Sequence, residues 1–410
     1  MVKLIVLENV ITGSSRPIKM KFHIPALVHL PVSREYMGCA FTQKIYKMCQ
    51  MLLSLGHEVY LYGAEGSNAP CTEFIQTHTL EDLREEWGEG DNRFELGYDW
   101  KTKGFKHDFN TKKTETTLKF YKNCIEEINK RKEDDHFLLL MQGYYHQPID
   151  QGVKLYLTCE PGIGYRGSYS RFRAFESAYI QNFTYGSQNP FKSINGNFYD
   201  RVIPNYFDMG DFEFSDEKDD YFLFVGRLIK RKGVDIASLA CKEAGVKLKL
   251  AGQGMVSWEK GKLVLKDTVL TGDHLDYVGY IDVEERKKLM SRAKGVFVPT
   301  LYLEAFGGVN VEAQLSGTPI ITTDFGVFPE TNINDLSGFR CNTLNDFVEA
   351  IKNVQKFDKV DYTSIKDRAE AFYSMDSVKY QFDTWFEDLY QLYLSAKDPK
   401  VKGWHHIKKC

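Results

Sequence analysis

The sequence Gly226-Arg227-Leu228-Ile229-Lys230-Arg231-Lys232-Gly233 follows an apolar run that is typical of a buried strand. It places several cations where the strand ends, and open α/β sheets bind their ligands at the carboxyl ends of their strands. Glycines stand at both ends of the stretch, which favours a shaped turn over an ordinary solvated basic surface. The stretch therefore predicts a Rossmann-like sheet with an anion site at its edge.

A second stretch, Glu304-Ala305-Phe306-Gly307-Gly308-Val309-Asn310-Val311-Glu312, opens a predicted helix. Its glycine pair leaves backbone N–H groups free at the helix start, where the helix dipole also favours a phosphate. Glu304 precedes the glycines and Glu312 lies one to two turns into the helix. A glutamate pair alone would suit a solvated helix face, but cations, amides and carboxylates in this order predict a nucleotide-sugar site.

Several further motifs accompany these two stretches in a fixed order. The chain from Tyr221 to Arg340 resembles the donor-binding domain of the retaining glycosyltransferases of family four, which have the GT-B fold. The matching motifs are Phe224-Val225-Gly226-Arg227, Lys232-Gly233, Leu250-Ala251-Gly252-Gln253-Gly254, Val278-Gly279-Tyr280, Glu304 to Glu312, Gly317-Thr318-Pro319-Ile320-Ile321 and Gly326 to Glu330. The resemblance implies an α/β protein with two Rossmann-like domains facing a central cleft, and a C-terminal helix that crosses back to the first domain.

Length and composition agree with two domains. The chain has 410 residues, too many for one ordinary core. We expect an acceptor-side domain at 1–203, a donor domain at 204–375, and a helix with a basic tail at 376–410 that packs on the first domain. Residues 1–19 precede the first expected strand, and their role stays open. No apolar run approaches the ~18–20 residues that span a bilayer. The 8 cysteines are scattered, which favours reduced thiols and a cytoplasmic location.

The resemblance also implies roles for the donor-site residues. Arg227 and Lys232 would stabilise the charge on a departing diphosphate, arginine as a fork and lysine as a point charge. Lys230 and Arg231 are expected to face solvent. Amides of Phe306, Gly307 and Gly308 would meet the diphosphate or the sugar, Glu304 a sugar hydroxyl, Glu312 the ribose, and Gly279 and Tyr280 the base.

No divalent metal is expected. GT-B enzymes use protein cations where other glycosyltransferases hold a metal ion on a DxD motif, and no clean DxD follows a strand here. Asp134-Asp135 and Asp219-Asp220 lie in charged stretches and are expected on the surface. The nucleotide-sugar, UDP- or GDP-linked, would be a co-substrate, with no further cofactor.

The first domain resembles the family less closely. The loop from His29 to Gly38 takes the place of the family's glycine-rich donor loop, with Gly38 as its one glycine. Many relatives carry a histidine after a later strand, where this chain has Glu160. We expect Glu160 to orient the sugar or take the acceptor proton, with His146 as the competing candidate; either could instead be a structural polar residue. Retention of configuration is implied by the resemblance, with a departing phosphate oxygen helping to accept the proton.

Two stretches of the first domain are both basic and aromatic, a composition that suits a phosphate backbone and unstacked bases. The first contains Lys103, Lys106, Lys112 and Lys113, and the second contains Arg166, Arg171 and Arg173. The net charge of −3 makes any such footprint local. A solvated lysine-rich face with ordinary core aromatics is the alternative.

The phrases Glu35 to Lys44 and Cys159 to Tyr165 are similar to those of virus-encoded glycosyltransferases. Bacteriophages use such enzymes to glycosylate hydroxymethylated pyrimidines in DNA. This resemblance makes DNA with 5-hydroxymethylpyrimidine the favoured acceptor, in the host cytoplasm if the protein is viral, ahead of a cell-surface glycan or lipid. Two other classes stay open. A sugar-nucleotide epimerase would convert the donor alone, and a non-catalytic nucleotide-sugar binding protein would show no turnover. The oligomeric state is left open.

Overall fold

The structure, a computed structural model, describes residues 18–35, 39–87, 114–188 and 196–397. Two large sheets organise this part of the chain, and all their strand pairs are parallel. The first sheet contains β1 (Lys21–Pro25), β2 (Glu58–Ala64), β3 (Glu73–His78), β4 (Phe137–Leu139), β5 (Leu157–Ile163), β6 (Phe172–Phe175) and β7 (Arg201–Val202). Its strand order is β3-β2-β1-β4-β5-β6-β7.

Helices cover both faces of the first sheet. Successive residues of a strand point to opposite sides, so one strand can contribute side chains to two separate buried clusters. On β4, Phe137 and Leu139 join one buried cluster, whereas Leu138 joins another. The helices of this domain are α1 (Ala40–Ser54), α2 (Leu80–Trp87), α3 (Glu115–Arg131), α4 (Gln147–Val153) and α5 (Ala178–Gln188). The strands are short and apolar on both faces, as parallel strands between two helix layers must be.

The second sheet repeats the same design. The strands of this domain are β8 (Phe222–Val225), β9 (Leu248–Ala251), β10 (Met255–Glu259), β11 (Lys262–Leu265), β12 (Val269–Thr271), β13 (Leu275–Gly279), β14 (Gly295–Val298), β15 (Ile320–Thr323) and β16 (Gly338–Cys341). The large sheet has the order β13-β9-β8-β14-β15-β16, and a small antiparallel sheet, β10-β11-β12, lies in the connection between β9 and β13. The helices are α6 (Val234–Ala244), α7 (Val283–Arg292), α8 (Gly308–Leu315), α9 (Phe328–Thr331), α10 (Leu344–Val354), α11 (Lys359–Tyr373) and α12 (Met375–Lys397).

Parallel pairing determines where a ligand can bind. Strands β8, β9, β13 and β14 all end at one edge of the second sheet, so the loops that follow them converge there. This edge is the one at which open α/β folds bind ligands. The chain passes between the two sheets in residues 203–221, and the predicted boundary between 203 and 204 falls at the start of this connection.

Helix α12 returns to the first domain, as predicted. Trp385, Phe386 and Leu389 are buried in the same cluster as β1 and α1. The indole N–H of Trp385 donates to the carbonyl of Tyr199 at 2.8 Å. Among the described helices, none combines the length and the apolar character needed to cross a membrane. The described cysteines are free thiols.

One basic residue that we assigned to acceptor binding lies in the interior instead. Arg173 on β6 is 4% exposed and forms an ion pair with Asp200 at 2.9 Å. Asp200 also accepts a hydrogen bond from the hydroxyl of Tyr185 at 2.8 Å, and burial raises the pKa of its carboxyl. The acceptor-binding assignment of Arg173 is therefore corrected, because its guanidinium has no surface on which to meet an acceptor.

We predict that Asp200→Ala destabilises the first domain by about 3–5 kcal/mol, because it leaves the Arg173 cation buried without its partner. Urea denaturation followed by circular dichroism measures the effect. Asp219→Ala is the control, since Asp219 and Arg292 form an exposed pair at 2.7 Å whose loss should change little. Equal, small changes in both variants would contradict a structural role for the buried pair.

Candidate donor-binding site

The loop after β8 packs directly on the loop after β9. A Cβ atom on Gly252 would lie 1.8 Å from the carbonyl oxygen of Gly226, and Gly252 has a φ of +138°. Only glycine permits so close an approach in this conformation. The Leu228 amide donates to the Gln253 carbonyl at 2.6 Å, and the Lys230 amide donates to Asp267, between β11 and β12, at 2.8 Å. These contacts fix the backbone that carries the cations.

The two motifs that opened the sequence analysis meet at one carboxylate. Glu304 accepts hydrogen bonds from the Lys232 ammonium at 2.9 Å and from the Tyr302 hydroxyl at 2.7 Å. Burial and the neighbouring Glu304 raise the pKa of Tyr302, so its hydroxyl stays a donor. Arg227 and Arg231 are both exposed, and Arg231 stacks over the Tyr302 ring at 4.6 Å. The structure thus places cations and a carboxylate around one aromatic ring.

Helix α8 begins at this point. Gly307 has a φ of +74° and caps the helix, which directs the first amides of α8 toward the loop edge. The Phe306 side chain is buried against Phe207, with ring centroids 6.3 Å apart, so the turn is bound to the interdomain connection. Further along α8, Glu312 forms an ion pair with Arg286 at 3.5 Å.

The remaining donor-side residues lie at the same sheet edge. Gly279 ends β13 with a φ of +89°, and its carbonyl accepts from the Gly252 amide at 2.8 Å. Tyr280 follows it and is half-buried. The structure therefore brings the predicted donor residues of the second domain to one edge. Gly38, predicted for the first domain, lies outside the described residues.

Both candidates for a proton-accepting residue are buried. Glu160 is 0% exposed and accepts from the Tyr165 hydroxyl and from the amides of Tyr169 and Ser170 at 2.6–2.8 Å. His146 is also 0% exposed, and its Nε2 lies 2.9 Å from the Ala26 carbonyl oxygen. Burial raises the pKa of Glu160 and lowers that of His146 to about 4. This placement departs from the predicted catalytic role, since a general base must reach the proton that it removes.

The structure describes only part of the predicted acceptor surface. Lys103, Lys106, Lys112 and Lys113 lie outside the described residues. Arg166 and Arg171 are exposed on the first domain. Arg166 lies 5.5 Å from the Phe183 ring centroid, and the Arg171 guanidinium lies 4.6 Å from that of Tyr156.

Three charged residues of the first domain received no functional role in the sequence analysis. Lys44 on α1 forms an ion pair with Glu176, which is 5% exposed. Lys47, one turn further, donates to the Tyr206 carbonyl at 2.6 Å. The pKa of Lys47 is lowered to about 8, chiefly by burial and also by the Lys44 charge, while Glu176, Glu312 and Asp211 act in the opposite direction. Glu312 belongs to the second domain and Lys47 to the first, so charges of both domains act on the Lys47 ammonium.

A signal for these lysines was present in the sequence. Lys44 and Lys47 stand three residues apart, so they share one face of a helix. Ile45 and Met48, their neighbours in the chain, are buried in the core. A lysine pair beside the apolar stripe of a helix that follows a predicted donor loop indicates a cleft-facing position. Glu176 has no comparable signal, because its burial depends on how β5 and β6 are arranged.

The second domain is similar in sequence to a known family. Residues 210–360 match the family model of group 1 glycosyl transferases. A glycogen synthase of Mycobacterium tuberculosis is 29% identical over 187 residues, which is 43% of this chain and 42% of that protein. The chain thus spans less than half of the length of this curated relative.

Solved structures match over nearly the whole length. The sucrose-phosphate synthase of Thermosynechococcus elongatus has a TM-score of 0.60 at 15% identity, covering 91% of this chain and 100% of that one. An Anabaena protein solved with UDP and glucose has a TM-score of 0.57 at 11% identity, covering 90% and 100%. The expected GT-B fold is confirmed: the chain has the fold of these proteins, and its second domain is similar in sequence to the group 1 glycosyl transferases.

Proposed function

We propose that this protein is a retaining glycosyltransferase that moves a sugar from a nucleotide-sugar to an acceptor hydroxyl. The observation that carries the proposal is the contact between Lys232 and Glu304, 2.9 Å apart beside the amides that open α8. A cation for the diphosphate and a carboxylate for a sugar hydroxyl are thereby held next to each other. That is the arrangement needed where the anomeric carbon–phosphate bond breaks.

The chemistry divides among the residues of the second domain. Charge builds up on the nucleoside diphosphate as it leaves, and fixed cations aimed at that charge lower the barrier. Arg227 and Lys232 supply the cations, and the amides at Gly307 and Gly308 supply further donors. Glu312 accepts hydrogen bonds from the ribose hydroxyls. The bound donor would then displace Arg286 from the Glu312 carboxylate or share that carboxylate with it. The loop at Gly279 and Tyr280 holds the base.

Retention follows from the resemblance to family four and fits the positions of Glu160 and His146. Neither buried side chain has a surface from which to take the proton of the attacking hydroxyl. We therefore assign that proton to the departing phosphate oxygen. The hydroxyl then attacks on the face that the phosphate leaves.

For the acceptor we propose 5-hydroxymethylpyrimidine in DNA, on the basis of the first-domain phrases and of the basic, aromatic stretch with Lys103, Lys106, Lys112 and Lys113. The exposed Arg166 and Arg171, each over an aromatic ring, would extend such a surface. A saccharide or lipid acceptor is the second candidate. The name of the glycogen synthase to which the chain is similar supports the saccharide.

The first test is substitution of the cation nearest the diphosphate. We predict that Lys232→Ala lowers turnover about 100-fold or more, because the charge on the leaving group loses its fixed partner. Affinity for UDP or GDP, measured by calorimetry, should fall as well. Lys230→Ala is the matched control, since Lys230 lies exposed in the same loop. Turnover by Lys232→Ala equal to that of the control would remove Lys232 from the donor site.

The second test concerns metal. Because protein cations occupy the diphosphate side of the proposed site, we predict that transfer survives EDTA. Initial rates of sugar transfer, measured by mass spectrometry with and without the chelator, test this prediction. Complete loss of activity that Mg²⁺ or Mn²⁺ restores would contradict the proposal. The same assay with donor alone tests epimerisation, which would convert the nucleotide-sugar without an acceptor.

The third test concerns the acceptor. If the lysine stretch binds DNA, reversing Lys103, Lys106, Lys112 and Lys113 to glutamate should raise the KM for hydroxymethylated DNA and flatten its dependence on salt, because fewer counterions are released. Donor affinity should stay nearly unchanged, since none of these four lysines is among the proposed donor residues.

The matched control reverses Lys352 and Lys356, which are exposed on the second domain. That variant should keep the wild-type KM for DNA. If no hydroxymethylated DNA accepts sugar from UDP- or GDP-sugars at low salt while a saccharide or lipid does, the DNA acceptor is wrong and the glycosyltransferase assignment stands.

A further inference from the structure

Helix α5 of the first domain begins at the second domain. Its first two amides, those of Ala178 and Tyr179, donate to the carboxylate oxygens of Glu330 at 2.9 and 2.7 Å. The first N–H groups of a helix have no partner within the helix, and a carboxylate there also interacts favourably with the helix dipole. Glu330 therefore caps α5 from the other domain.

A second contact joins the same helix start to the donor loop. The hydroxyl of Ser177 accepts from the Ile180 amide at 3.1 Å and donates to the carbonyl of Ala305 at 2.7 Å. Ala305 follows Glu304 directly, and the Glu304 carbonyl accepts from the Val327 amide at 3.2 Å. The start of α5 is thus bound both to the loop of Glu304 and to helix α9, where Glu330 lies.

We propose that Glu330 and Ser177 are positioning residues for sugar transfer. The inference rests on the proposed function, in which the donor binds to the second domain and the acceptor to the first. Neither residue touches substrate. They fix the loop that carries Glu304 against the first domain, and so set the distance between the sugar and the attacking hydroxyl. A displacement of about 1 Å at a reacting centre can cost about 100-fold in rate.

Exposure separates this role from a purely structural one. Glu330 is exposed, so removing its carboxylate takes little from the core. A structural role would change stability and leave turnover alone. A positioning role predicts no more than the modest loss of stability that a lost helix cap causes, together with wild-type affinity for the nucleoside diphosphate and a lower kcat.

The experiment compares Glu330→Ala and Glu330→Gln with Glu349→Ala, which removes an exposed glutamate from α10 of the same domain. Hydrogen exchange should show faster exchange of the Ala178 and Tyr179 amides in Glu330→Ala only. We expect kcat to fall about 10- to 100-fold in this variant, with the Kd for UDP or GDP within about 2-fold of wild type. Glu330→Gln, which keeps one acceptor oxygen, should recover part of the rate.

Ser177 provides an independent pair of variants. Ser177→Ala should lower kcat in the same way, and Ser177→Thr should restore it, because threonine keeps the hydroxyl. Wild-type kcat in Glu330→Ala despite faster amide exchange would overturn the positioning role. Unchanged exchange would show that the carboxylate does not cap α5 in solution, which also overturns it. If wild-type protein transfers no sugar while these amides are protected, the proposed function fails and the positioning role fails with it, but the contact is demonstrated.

Discussion

The donor site depends on the absence of one side chain. The loops after β8 and β9 approach so closely at Gly226 and Gly252 that a single methyl group would overlap a carbonyl oxygen. With that space open, the loop bearing Arg227 and Lys232 lies across the sheet edge and reaches Glu304, which comes from a strand connection further along the chain. The close backbone contact is therefore a condition for the arrangement of charges, because the cations could not converge on one carboxylate from a loop held further away.

The charges in the cleft are arranged in pairs that cross between structural units. Lys232 pairs with Glu304 between two loops, Glu312 pairs with Arg286 between two helices, and Lys44 pairs with Glu176 within the first domain. Each ion gains a partner and avoids the cost of standing alone in a partly dehydrated cleft. Lys47 adds a cation whose lowered pKa leaves it able to lose its proton near pH 8.

The sequence predicted that the proposed donor residues of the second domain meet at one sheet edge, because these residues lie in local motifs. Gly226 to Lys232 and Glu304 to Glu312 each lie on one loop and helix start, and parallel pairing alone brings their loops to one edge. Glu160, His146 and Arg173 were assigned functional roles because burial is not visible in a single polar residue; it depends on the strands and loops that surround it. The first of the matching first-domain phrases ended at Lys44 and gave neither Lys44 nor Lys47 a role, although their spacing in the first helix carried a usable signal. Glu330 belonged to a recognised motif, but its contact with α5 is a property of how the two domains meet.

Helix α12 has a consequence for how the chain is made. Trp385, Phe386 and Leu389 complete the core around β1 and α1, although they are encoded after the entire second domain. A ribosome that has released only the first half of the chain has therefore not yet supplied part of that half's interior. The emerging first domain exposes an apolar face during synthesis, whereas the second domain has its own strands and helices in one continuous segment. The core of the first domain is thus completed only after the second domain has been synthesised.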